Sequence, residues 1–302
     1  MFHPFLTKLV TIMKKLGLAT ALLLAMTGAQ AYQFEVQGQS EYIDNTVNDK
    51  NFSGAVQGTY YFKNVDATKG PLAEAAFVNQ ASNFSLAYNY GEYDEDGFDI
   101  VSHTYGAKAE AYVPTKLVPV YASAAYNHTI TDGKGGQDND NGDRYALELG
   151  AVVTPNFLVA VGYTSVADQD SYDAFNILSN GVAKAALESG TIAQDQDAIT
   201  ARTKYVGAID GTNMAVGFEA GIVYGESTAY NLKTDLYLTP ALSVGASYVE
   251  TSADAVVDSA WGANVNYFIT PAVAVGASYV NANAVGVARD TQTVGVNAKF
   301  RF

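Results

Sequence analysis

The chain has no cysteine, so neither a disulfide framework nor a thiolate nucleophile is available to it. Basic residues are scarce: 17 lysines and arginines stand against 31 aspartates and glutamates, which excludes the positive patch that nucleic-acid binding needs. Histidine is rarer still, with three in the chain. Also missing is an apolar run fit to cross a bilayer as a helix. The nearest approach, 259–288, holds no charged residue but is interrupted by Pro271 and carries Asn264, Asn266, Asn281 and Asn283. A helix would hold those amides in lipid, whereas two strands meeting at Pro271 put most of them on a water-facing side or in a loop.

What is present first names a compartment. Lys14 and Lys15 precede an apolar run from Leu16 to Met26, and Ala29-Gln30-Ala31 offers the small residues of a signal-peptidase site. Residues 1–31 therefore read as a signal peptide. Residues 1–12 read as an upstream start extension, because Met13-Lys14-Lys15 is itself an ordinary opening. The remaining 32–302 carry a formal charge of −17 and read as one domain, with no low-complexity linker to divide them.

At the other end, Val294, Val296, Ala298, Phe300 and Phe302 alternate strictly with Thr293, Gly295, Asn297, Lys299 and Arg301. A period of two is a strand between two different surroundings, and a terminal aromatic on the apolar face suits a barrel wall between lipid and water. A repeated unit supports this: Thr154-Pro155, Thr239-Pro240 and Thr270-Pro271 each open an alternating stretch that ends at Tyr163, Tyr248 and Tyr279. Proline cannot donate to a ladder, so it marks the tight turns, and the tyrosines fall where an interfacial girdle belongs.

Extending from these anchors gives strands near 33–43, 51–63, 82–93, 101–113, 120–131, 144–154, 157–166, 198–209, 213–224, 229–239, 241–251, 259–270, 272–282 and 291–302. These fourteen spans predict an all-β, antiparallel, up-and-down transmembrane barrel in the outer membrane, with the proline turns on the periplasmic side. Placing Tyr105, Ile199, Phe218 and Leu232 towards lipid sends the mid-strand charges inward. The expected lumen lining is Lys108, Glu110, Arg144, Glu148, Arg202, Lys204, Glu219, Lys233, Asp235, Lys299 and Arg301. Gly150, Gly162, Gly217, Gly245 and Gly276 are expected to leave lumen space unfilled. An eight-stranded barrel is about filled by side chains and a sixteen-stranded one encloses an aqueous pore, so fourteen points to a channel.

The stretches 13–44, Lys69 to Phe77, Tyr105 to Tyr112, Asp140 to Glu148, Lys204 to Met214 and Asn297 to Phe302 together make the whole chain resemble the Acinetobacter outer-membrane porins of the mid-thirties-kilodalton type. The resemblance implies a passive channel for water, ions and small solutes, without cofactor. The expected partners are the lipid bilayer, lipopolysaccharide, small solutes and cations, and the barrel assembly machinery, engaged through the strand ending at Phe302. A monomer is expected.

Other readings are weaker. Only His103 and His128 follow the signal peptide, both towards the outer rim on the lipid-facing row, so an outer-membrane phospholipase or protease has little to work with. In 132–143 a calcium-loop alignment places Gln137, Asn139 and Asn141 at ligand positions and Glu148 last, without the leading aspartate, so no metal site is expected. A non-conducting structural or adhesive barrel stays open as the alternative. Segment 167–197 contains Phe175, Ile177, Leu178, Val182 and Leu187, which suggests two or three helical turns packed either in the barrel mouth or outside the rim. The outer segments 44–50, 94–100, 132–143, 167–197, 225–228, 252–258 and 283–290 sum to −16, which predicts a modest preference for cations.

Overall fold

The computed structural model describes residues 31–45, 51–95, 98–134, 139–169, 171–253, 257–284 and 290–302. The expected signal peptide, apart from Ala31, lies outside these residues, as does much of the acidic outer chain, including 46–50, 96–97, 135–138 and 254–256.

Fourteen antiparallel strands close into one barrel: β1 Ala31–Asn45, β2 Asn51–Asp66, β3 Asn83–Glu95, β4 Phe98–Val113, β5 Val120–Lys134, β6 Asp140–Thr154, β7 Phe157–Asp168, β8 Asp197–Ala208, β9 Ala215–Tyr224, β10 Thr228–Thr239, β11 Leu242–Thr251, β12 Val257–Thr270, β13 Val273–Ala284 and β14 Thr291–Arg301. Every strand pairs with its sequence neighbours, and β14 pairs with β1 from Glu35 opposite Arg301 to Asn45 opposite Thr291. No edge remains unpaired, which a backbone in hydrocarbon requires.

Alternation explains each strand. Val294, Val296, Phe300 and Phe302 are exposed on the outside while Arg301 is 1% exposed within. Aromatics gather at both rims: Phe34 stacks on Phe302 at 5.7 Å near the periplasmic end, and Trp261 lies 5.5 Å from Tyr279 near the outer one. The Thr-Pro turns are closed by the threonine hydroxyl, as where Ala241 and Leu242 N–H donate to Thr239 Oγ1 at 3.2 and 3.0 Å.

Two segments enter the barrel. From the outside, α2 (Ala174–Asn180) and α3 (Val182–Gly190) form a helical hairpin that settles the direction of 167–197: α2 packs on β2, β3 and β4, and α3 on β11, β12 and β13. Asp173 caps α2 by accepting from the N–H of Phe175 and Asn176. Phe175, Ile177 and Leu187 are buried against the wall, each worth about 1.5–3 kcal/mol when withdrawn from water. Gly181 joins the helices at φ 88°, where a Cβ would also meet Glu41 Oε1 at 2.7 Å, so both backbone and space require glycine.

From the periplasmic side, the β2–β3 connection folds inward through the short turn Leu72–Glu74 and α1 (Ala75–Val78). Phe77 joins Tyr121, Val152, Leu158, Val206 and Tyr237, while Leu72 and Ala75 join Tyr32, Tyr61, Val65 and Phe268. Sequence reading missed this segment.

Candidate functional site

Between the two inward segments lies a chamber of about 430 Å³, bordered by Phe77 and Glu74 on one side, by Phe175 and Asn180 on the other, and by strand residues around it. Its charged wall comes from β4, β8, β9 and β10, where Lys204, Glu219 and Lys233 occupy one register row. The opposite wall, from β11 to β14 and β1 to β3, is dominated by Ser243, Ser247, Asn264, Asn266, Asn297, Gln37, Gln57 and Thr59.

The charges pair. Lys108 lies 3.3 Å from Glu110, Arg202 2.8 Å from Glu148, Lys204 2.7 Å from Glu219 and 2.9 Å from Glu74, and Lys233 4.0 Å from Asp235. Tyr121 links two of these pairs: its hydroxyl donates to Glu110 Oε1 at 2.7 Å and accepts from Arg202 Nη2 at 2.8 Å. Near the periplasmic end Glu35 accepts from Arg301 Nε at 2.7 Å and meets Lys299 at 2.9 Å. Arg301 lies between the Tyr32 and Phe268 rings, 4.5 and 4.6 Å from their centroids, and donates to the Leu72 carbonyl at 2.8 Å, which anchors the periplasmic segment.

The inward segments carry their own ionisable groups. Burial opposes charge on Glu74, but the Lys204 ammonium outweighs it and holds that carboxyl below its usual range. Burial pushes the Glu188 carboxyl up, although Asn176 donates to it. Burial and the neighbouring Lys233 push the Lys184 ammonium down to about 8. Two further bonds tie the hairpin to the wall: Val182 N–H donates to Glu41 Oε2 at 2.7 Å, and Ala174 N–H to Asn127 Oδ1 at 3.1 Å.

Of the expected lining, Lys108, Glu110, Arg202, Lys204, Glu219, Lys233, Asp235 and Lys299 border the chamber. Arg144 and Arg301 face inward but are buried, and Glu148 is engaged with Arg202. The expectation of empty space over the glycines does not hold. Neighbouring side chains fold across them: a Cβ on Gly276 would meet Asn266 Oδ1 at 2.2 Å, one on Gly217 the Tyr237 hydroxyl at 2.9 Å, and one on Gly245 Asp235 Oδ1 at 2.3 Å. Gly150 and Gly162 lie against backbone: a Cβ on the first would meet the Val159 carbonyl oxygen at 2.4 Å and one on the second that of Leu147 at 2.5 Å. Of the acidic residues expected at the mouth, Asp173 caps α2 and Glu188 lies on α3 of the inward hairpin.

His128 pairs with Asp143 at 2.8 Å beside Tyr126, and Tyr88 pairs with His103 at 2.8 Å. In register beside His128 stand Tyr105 and Asp143. Glu148, the last residue of the calcium-loop alignment, is committed to Arg202, and among the described residues no group of three metal-ligating side chains forms.

Residues 6–302 match the family described as "Putative general bacterial porin". The crystal structure of the Acinetobacter baumannii outer membrane protein Omp33 is 56% identical to this chain, covering 90% of it and 99% of that chain, with a TM-score of 0.69. A mutant of the TodX monoaromatic hydrocarbon channel shares the fold alone, at 11% identity and a TM-score of 0.52 over 91% of each chain. No curated protein matches. A closed fourteen-stranded barrel, with charge turned inward and apolar side chains outward, is thus matched along nearly its whole length, and the chain belongs to the general bacterial porin family, the outer-membrane β-barrel channels.

Proposed function

We propose that the barrel is a passive diffusion channel for water, ions and small hydrophilic solutes, with a modest preference for cations at low ionic strength. The observation that carries this reading is the polar chamber enclosed at membrane depth, bordered by ion pairs and amides rather than by a dry core. Lys108, Glu110, Arg144, Glu148, Arg202, Lys204, Glu219, Lys233, Asp235, Lys299 and Arg301 form the polar lining, through contact with solute or by holding those that make it. Because the wall cations are largely neutralised by partners, the acidic outer segments set the sign of the field, which attracts counter-ions to a low-dielectric mouth. The bilayer and lipopolysaccharide surround a monomer, and the strand ending at Phe302 engages the assembly machinery.

The reversal potential across a potassium chloride gradient in planar bilayers tests the reading. Cation preference is expected at low salt and should fade as the Debye length shortens to about 10 Å at 0.1 M. Anion preference at low salt would mean that the wall sets selectivity. A second reading, a non-conducting structural barrel, is favoured by the two inward segments, and absence of conductance from folded protein would select it.

A further inference from the structure

Most ammonium and guanidinium groups around the chamber are committed to carboxylates at short range, but Lys184 forms no such pair among the described residues and Lys233 forms the longest one. Lys184 on α3 is 7% exposed, its ammonium donates to Ser247 Oγ on β11, and among the described residues it makes no ion pair. Lys233 on β10 sits opposite Ser247 in the ladder, reaches Asp235 only at 4.0 Å and donates to the Ser179 carbonyl at 3.5 Å. Glu41 and Glu188 act on Lys184 through space but accept from neutral donors, the Val182 N–H and Asn176, and among the described residues neither comes within ion-pair distance of its ammonium. The other cations bordering the chamber, Lys108, Arg202, Lys204 and Lys299, each have a carboxylate within 3.3 Å.

An ammonium group has three donors, and Ser247 takes only one from Lys184. A buried cation with no carboxylate at ion-pair distance favours an anion in the adjacent space, and that space is bordered by Asn180 and Asn264. We propose that Lys184 and Lys233, with Ser247 between them, form a subsite in the chamber for a small oxyanion, the carboxylate or phosphate group of a solute. Its transport role rests on the channel reading above, whereas binding itself does not.

Calorimetric titration of the full-length folded protein in detergent, at low ionic strength, tests the subsite with sodium succinate and sodium phosphate in separate runs. At least one should bind saturably, and which one identifies the oxyanion. Lys184→Gln and Lys233→Gln should each weaken that binding at least tenfold, Lys184→Arg should retain it, and Lys116→Gln, remote in the β4–β5 connection, should leave it unchanged. Heat-dependent electrophoretic mobility checks that each variant is folded, and Lys233→Gln carries the test if Lys184→Gln does not fold. Failure of both anions to bind the wild type, or equal binding by wild type and the two glutamine variants, overturns the subsite and shows that the lysines only pin the hairpin. Calorimetry needs no ion flow, so that outcome is distinct from a failure to conduct, which would overturn the channel reading instead.

Discussion

Replacing Glu35 by glutamine should be among the most damaging single changes in this barrel. The side chain is isosteric and still accepts a hydrogen bond, but among the described residues it removes the only carboxylate within ion-pair distance of both Lys299 at 2.9 Å and Arg301 at 2.7 Å. Arg301 is 1% exposed between two rings, so its charge would stay buried beside a second cation. Breaking a buried pair from one side costs about 3–5 kcal/mol, which is roughly two to three and a half powers of ten in the folding equilibrium. Lys299→Gln is the internal contrast. It leaves the Arg301 bond to Glu35 intact and removes the charge from a side chain about a quarter exposed, so it should cost clearly less. Urea unfolding in lipid vesicles, followed by electrophoretic mobility, measures both. A Glu35→Gln barrel within about 1 kcal/mol of wild type, or no worse than Lys299→Gln, would refute the view that this cluster closes the seam and holds the periplasmic segment.

Three further outcomes are expected. Deleting Phe302, whose carbonyl accepts from the N–H of Gln33 at 3.1 Å and Phe34 at 2.7 Å, should sharply reduce folded barrel in the outer membrane while leaving export to the periplasm intact, as read by fractionation. Shortening 172–192 to a tight loop should raise single-channel conductance severalfold, because it removes one boundary of the chamber; unchanged conductance would place the hairpin outside the current path. Glu188, raised by burial, favours the docked hairpin when protonated. That stabilisation is fully present below the usual carboxylate value and is lost as pH rises through the raised one, so conductance should increase with pH across that window. Glu188→Gln should flatten the rise, and an unaltered pH profile would assign it to other groups.

The wall was legible because every strand separates the same two media, so a period of two needs only local sequence to be read. That logic placed Lys204 and Glu219 inward and Phe302 outward without any knowledge of partners. The helical hairpin was legible in kind but not in direction. Ile177 and Leu187 would bury equally well under a rim, and what draws them in is the set of distant partners Glu41, Asn127 and Ser247 on three different strands. The periplasmic segment left a signal that was not used: the β2–β3 connection is far longer than the Thr-Pro turns and carries Leu72 and Phe77, which a solvated turn would not need. The glycines misled because an absent side chain was equated with empty space, whereas in a ladder the room beside a glycine is taken by its cross-strand neighbours.

The helical hairpin is also a mechanical part. Its two helices seat on walls that are not adjacent, α2 on β2 to β4 and α3 on β11 to β13, so they act as a strut across the outer part of a cylinder whose periplasmic part is braced by the β2–β3 segment. Sideways compression by the bilayer then has to squeeze or eject that strut before the cross-section can become oval, which couples the shape of the membrane around the barrel to the position of the segment within it.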